Sequence, residues 1–113
     1  MDSIKDYSLL VKQALDAYVE LSNQQPVPTY QVVRVFDDIS HHYLVRKLGW
    51  KGSQRISQIM IHVSLHDGKI WIEEDWTEDG IATYFLEKGV PNSDIVLAFQ
   101  PPMMRPYTEF AVA

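Results

Sequence analysis

Carboxylates crowd one stretch of this sequence: Glu73, Glu74, Asp75, Glu78 and Asp79 all fall between positions 73 and 79. Converging carboxylates are what a divalent cation or a general acid–base pair requires. The spacing matches neither an EF-hand loop nor another calcium signature. Residues 73–75 close a predicted strand, where neighbours point to opposite faces, and Glu78 and Asp79 suit the positive end of a following helix. The cluster therefore reads as structural. A small acid–base hydrolase built on Glu73 or Asp75 stays open as an alternative and requires a pocket in which carboxylates converge.

The histidines are the next candidates. His62 and His66 would share a metal on a helix, but their surroundings alternate as a strand does, where four residues span ~13 Å, too far for one ion. His62 is expected opposite Glu73 as a cross-strand polar pair. His41-His42 lies in a polar break without ligand spacing, so no metal site and no cofactor are expected. The absence of cysteine excludes disulfides, thiolate nucleophiles and Cys-ligated metal, and fits a reducing cytoplasm. Serines occur, but without a nucleophile elbow, a phosphate-binding glycine loop or a dinucleotide fingerprint, and no catalytic residue is assigned.

Four of the ten basic residues, Arg46, Lys47, Lys51 and Arg55, cluster around a turn at 49–53 beside Trp50. Such a patch can contact nucleic acid through phosphates and stacking. It is small, and the net charge of −5 opposes a phosphate backbone at long range. A solvated hairpin tip is the favoured reading, with a DNA-binding accessory factor as the alternative.

These residues need a scaffold, and 113 residues with 46% apolar and 22% charged composition suit one globular domain spanning 1–113. The first ten residues carry Asp2, Lys5 and Asp6 and lack the apolar region of a signal peptide. No run approaches the ~20 apolar residues of a membrane span. A cytoplasmic protein without a membrane association is expected.

Over residues 4–21, Ile4, Tyr7, Leu10, Val11, Ala14, Leu15, Tyr18 and Leu21 recur at steps of three and four, which predicts a surface helix, with Asp2 or Ser3 as its cap. Pro26 and Pro28 break the chain before two β-rich runs, 31–37 and 43–50, that read as a hairpin. In 55–75, Asp67-Gly68 between alternating runs suits a two-residue type I′ turn. That turn places Leu65 across from Ile70 and Val63 across from Ile72 on a buried face, with Ser64 opposite Trp71 on the other. Met60 and Trp71 on this second face would be covered by the first helix or by a partner. Thr77 is the expected N-cap of a short helix carrying Ile81, Ala82, Phe85 and Leu86, closed by Gly89. A strand at 95–99 and an apolar tail at 107–112 complete the chain. The fold class is α+β: a mostly antiparallel sheet, a long N-terminal helix and a short second helix after the fourth strand.

The stretch Asp67-Gly68-Lys69-Ile70-Trp71-Ile72, then Asp75, Thr77-Glu78, Gly80-Ile81-Ala82, Gly89-Val90-Pro91, Asp94-Ile95-Val96-Leu97 and Tyr107-Thr108-Glu109-Phe110-Ala111-Val112 resembles the XisI family of fdxN element excision controlling factors. The amphipathic first helix and the strand ending in Gly49-Trp50 are similar to the family's opening half, so the resemblance spans the chain. It departs at Ala98, where the family commonly has glycine, and at Trp76, where a small residue is usual. The resemblance implies control of site-specific excision of a DNA element in differentiating nitrogen-fixing cells, alongside a separate recombinase and an XisH-like companion. XisH-like proteins resemble nucleases of the restriction-endonuclease fold, so this chain is expected to regulate such a nuclease without enzymatic activity of its own. An acidic protein suits a basic nucleic-acid groove. DNA association would then be indirect, through a recombination complex. Interface candidates are Trp71 and, in the terminal motif, Arg105, Tyr107, Glu109 and Phe110; self-association through the Met60 and Trp71 face is a further expectation.

Overall fold

The computed structural model describes residues 3–113, with side chains from Tyr7 onward. Asp2 lies outside the described residues, and the side chains of Ser3 and Ile4, on which the expected cap and stripe position depend, lie outside the described side chains. The chain runs through α1 (Ser3–Gln24), β1 (Tyr30–Asp37), β2 (His42–Lys51), β3 (Gln54–His66), β4 (Lys69–Asp75), α2 (Ile81–Glu87) and β5 (Ile95–Leu97). Short 3-10 helices occupy Asn92–Asp94 and Pro102–Tyr107. The strands form one sheet in chain order, β1-β2-β3-β4-β5. All neighbours are antiparallel except β4 and β5, which run parallel. Parallel strands need a crossover, and α2 supplies it. This is the expected α+β architecture.

α1 lies on one face of the sheet because Val11, Leu15 and Val19 recur every four residues, with Ala14 between them, and all four are buried. They meet Tyr43, Val45, Ile61, Val63, Leu65, Ile70, Ile72, Ile81, Phe85 and Ile95 in one apolar cluster. Burying one such side chain is worth about 1.5–3 kcal/mol. Leu21, expected in the stripe, is 65% exposed, and Val19 takes the inward place. Successive steps of three each turn 60° short of a full circle, so the run from Tyr18 to Leu21 drifts off the face that steps of four preserve.

The second hairpin follows the predicted turn. Asp67 and Gly68 both have positive φ, 53° and 74°, as a type I′ turn demands. Leu65 faces Ile70, Val63 faces Ile72 and Ser64 faces Trp71. Beyond that point the expectation fails, because a bulge between His62 and Val63 shifts the register and sets His62 against Glu74 rather than Glu73. A second irregularity, at Val45/Arg46, leaves Met60 without a partner on β2. Met60 thereby turns into the buried cluster and leaves the open face, where strict alternation had put it. A bulge inserts one residue, and one residue exchanges faces.

Gly49 is forced by close backbone approach. A Cβ there would come within 2.0 Å of the Thr29 carbonyl oxygen, which accepts from the Trp50 amide at 2.9 Å. The linker into β1 thus presses directly on β2.

Candidate functional site

One side chain, Arg105, gathers much of the C-terminal segment. Arg105 donates from Nε to the Gln100 carbonyl at 3.1 Å, from Nη1 to Val112 at 3.3 Å and from Nη2 to Ala98 at 3.3 Å. Its guanidinium lies 5.7 Å from the centre of the Trp71 ring. A planar cation with a fork of donors can stack and bind carbonyls together, which an ammonium cannot. Trp71 is itself fixed, donating Nε1–H to the His66 carbonyl at 2.9 Å with the His66 ring 5.6 Å away. Ala111 closes the far end, donating to the Ile95 carbonyl at 2.8 Å and bridging Val96 in parallel.

The segment so fixed turns apolar side chains outward. Phe99, Met103, Met104, Tyr107 and Val112 are all exposed, Tyr107 at 84%. Glu109 is exposed beside them, whereas Phe110 is half-buried and packs against the core. Of the sequence-derived interface candidates, Trp71, Arg105 and Phe110 thus build the platform, and Tyr107 and Glu109 stand on it. Phe99, Met103 and Met104 were missed; the signal available was two adjacent methionines set between prolines, in Pro101-Pro102-Met103-Met104-Arg105-Pro106.

The basic candidates separate. Strand alternation puts Arg46 on the face away from α1, where Nη2 donates to Ser57 Oγ at 2.8 Å, and Lys47 on the α1 side, 4.6 Å over the Tyr30 ring. Arg55 stacks on exposed Trp50 at 5.2 Å and donates to the Gly49 carbonyl. Lys51 is exposed at the hairpin tip.

The acids at the end of β4 each engage different partners and do not converge. Glu73 accepts from Ser64 Oγ at 3.1 Å and Glu74 from Trp76 Nε1 at 2.6 Å. Asp75 accepts from the Thr77 amide, the Thr77 hydroxyl and the Ile81 amide. Asp75, not Thr77, therefore holds the start of α2; Thr77 Oγ1 accepts from Gly80 N–H, ahead of the helix. An open depression of about 660 Å³ beside β3, lined by Arg46, Ile59, Met60 and Trp76 among others, contains Glu74 as its one carboxylate. Among the described residues, no group of three or more His, Asp or Glu side chains is arranged to hold a metal ion.

His42, without a partner in the sequence reading, has one: its Nδ1 lies 2.8 Å from His62 Nε2. His62 faces Leu44, two positions along β2, so the rings meet on the diagonal. One nitrogen must donate and the other accept, so at least one imidazole is neutral. Burial, reinforced by the neighbouring His42, holds His62 below the ordinary imidazole value, while Glu73 and Glu74 oppose the shift. On the other side of the sheet, burial and then the bond to Asp38 push the Tyr43 hydroxyl up, as Tyr43 donates to Asp38 at 2.7 Å. Asp38 also pairs with Lys12 of α1 at 3.0 Å. No helix among the described residues is long and apolar enough to cross a membrane.

No curated protein matches the chain. Solved structures do, among them two from one organism. A XisI-like protein from Anabaena variabilis ATCC 29413 shares 35% identity at a TM-score of 0.89, covering 97% of this chain and 99% of that one. The fdxN element excision controlling factor XisI from Anabaena variabilis ATCC 29413 shares 36% identity at a TM-score of 0.88, covering 99% of this chain and all of that one. The XisI protein family model matches residues 1–112. With the helix, the five-stranded sheet and the tail all accounted for by these matches, the chain belongs to the XisI family.

Proposed function

We propose that this protein is a non-enzymatic cytoplasmic regulator of DNA-element excision that docks an XisH-like protein on its C-terminal surface. One solved relative is named an fdxN element excision controlling factor, and control of that kind can proceed by binding alone. The observation that carries the docking reading is the outward display of Phe99, Met103, Met104 and Tyr107 on a segment whose carbonyls Arg105 ties together. Aromatic and methionine side chains on a pre-ordered platform give an interface its anchors at low entropic cost.

Co-purification with an XisH-like protein, followed by calorimetry, tests this reading. Tyr107→Ala and Met103→Glu are expected to weaken the complex at least tenfold, while the folding midpoint stays unchanged. Absence of a complex, or variants that bind as the parent does, overturns it. The second reading, direct DNA contact through Arg46, Lys51, Arg55 and Trp50, draws on the exposed Trp50–Arg55 stack. It predicts a mobility shift by the protein alone that falls steeply with salt.

A further inference from the structure

The two edges of the sheet are treated differently. β5 has three residues, and the returning tail covers it through the bond from Ala111 to Ile95 and the bridge to Val96. β1 has eight residues, Tyr-Gln-Val-Val-Arg-Val-Phe-Asp, and its outer side bonds to no strand among the described residues. Edge strands that must stay single are usually blunted by lysine, proline, a bulge or short length. β1 has none of these: both register irregularities lie elsewhere, in β2–β3 and β3–β4. Its one cation, Arg34, is paired with Asp16 of the same chain at 2.7 Å. The carboxylate of Asp37, its one anion, accepts from the Ile39 and Ser40 amides.

We infer that β1 pairs antiparallel with β1 of a second copy, with Val33 on the two-fold axis. The register follows from the faces of the strand. Val32 and Phe36 pack against the core and Arg34 reaches Asp16 of α1, so alternation puts Gln31, Val33 and Val35 on the open face. A two-fold axis normal to the sheet keeps both copies of α1 on one side only if like-facing residues meet. Two such registers use nearly the whole strand. The one centred on Arg34 sets two guanidinium groups side by side, and like charges directly opposite are destabilising. The one centred on Val33 pairs Val32 with Arg34, Gln31 with Val35 and Tyr30 with Phe36. It also joins the open-face apolar row of Val33, Val35 and Leu44 across the axis. Being self-complementary, the pairing closes at two copies. It uses the edge opposite the C-terminal platform, is independent of the proposed docking role, and leaves one platform free at each far end of the assembly.

Light scattering on the full chain is expected to give twice its 13.1 kDa mass. The chain has no cysteine, so Val33→Cys introduces a sole thiol. Paired residues across an antiparallel ladder have Cα atoms ~4.5–5.5 Å apart, within disulfide reach. Mild oxidation should link Val33→Cys into a covalent dimer. Val35→Cys should remain unlinked, because its twin is ~13 Å away along the strand. Val33→Lys, at a half-buried open-face position, should be monomeric with unchanged circular dichroism. A monomeric parent, equal cross-linking at 33 and 35, or a Val33→Lys chain that stays dimeric overturns the inference.

Discussion

Arg105 fastens three backbone carbonyls and an indole with one side chain. Arg105→Lys keeps the charge but loses the fork and the stack, with an expected loss of about 1–2 kcal/mol by urea unfolding. Limited proteolysis should then cut between residues 99 and 112 faster than in the parent. Tyr107→Ala, at an 84% exposed position, should leave stability within about 0.5 kcal/mol. That contrast separates side chains that build the platform from those it presents. Sequence reading picked out Arg105 and Tyr107 as equals in one motif, because nothing in Arg-Pro-Tyr-Thr-Glu-Phe says that the carbonyls of residues 98, 100 and 112 converge on the first of them.

At the scale of elements, termini were harder to read than interiors. α2 begins at Ile81 under a carboxylate delivered by the preceding strand, since Asp75 Oδ2 accepts from the Ile81 amide at 2.6 Å. Thr77 fitted the local signature of a cap, but the actual acceptor stands six residues before the amide it serves. Asp75→Ala is expected to cost about 1–2 kcal/mol in chemical denaturation. Thr77→Ala, which gives up one acceptor for Gly80 N–H, should cost less. The other end of α2 was legible: Gly89 has φ 92°, the Gly89 amide bonds the Leu86 carbonyl and the Val90 amide the Phe85 carbonyl. This is the 6→1 and 5→2 closure that glycine permits.

For the molecule as a whole, the central ladder couples folding to pH through His62. Unfolded, His62 protonates near the ordinary imidazole value of 6.5; folded, it resists protonation to lower pH, chiefly because of burial. The unfolded chain therefore binds more protons in this window. Stability should be complete above about pH 6.5 and fall as pH drops toward the lowered folded value. Melting temperatures measured from about pH 7.5 to about pH 5 should show this decline, and His62→Gln should flatten it. Asp37 and Asp38 are held below their ordinary value of 3.8 by bonds to Ser40 and Tyr43 respectively. Their contribution disappears only in stronger acid, so they do not confuse the result.

The sequence by itself determined what short-range chemistry controls. Apolar alternation and Asp67-Gly68 set the second hairpin, proline and glycine set the breaks, and the scattered motif from Asp67 to Val112 carried the family. Only the tertiary structure decided where alternation is interrupted, which sent Met60 inward and moved Glu74 opposite His62. It also decided which side chains meet across the ladder and which sheet edge is left uncovered. Propensity and turn chemistry act over a few bonds, whereas a bulge, a stacked arginine or an open edge arises from contacts between segments far apart in the chain.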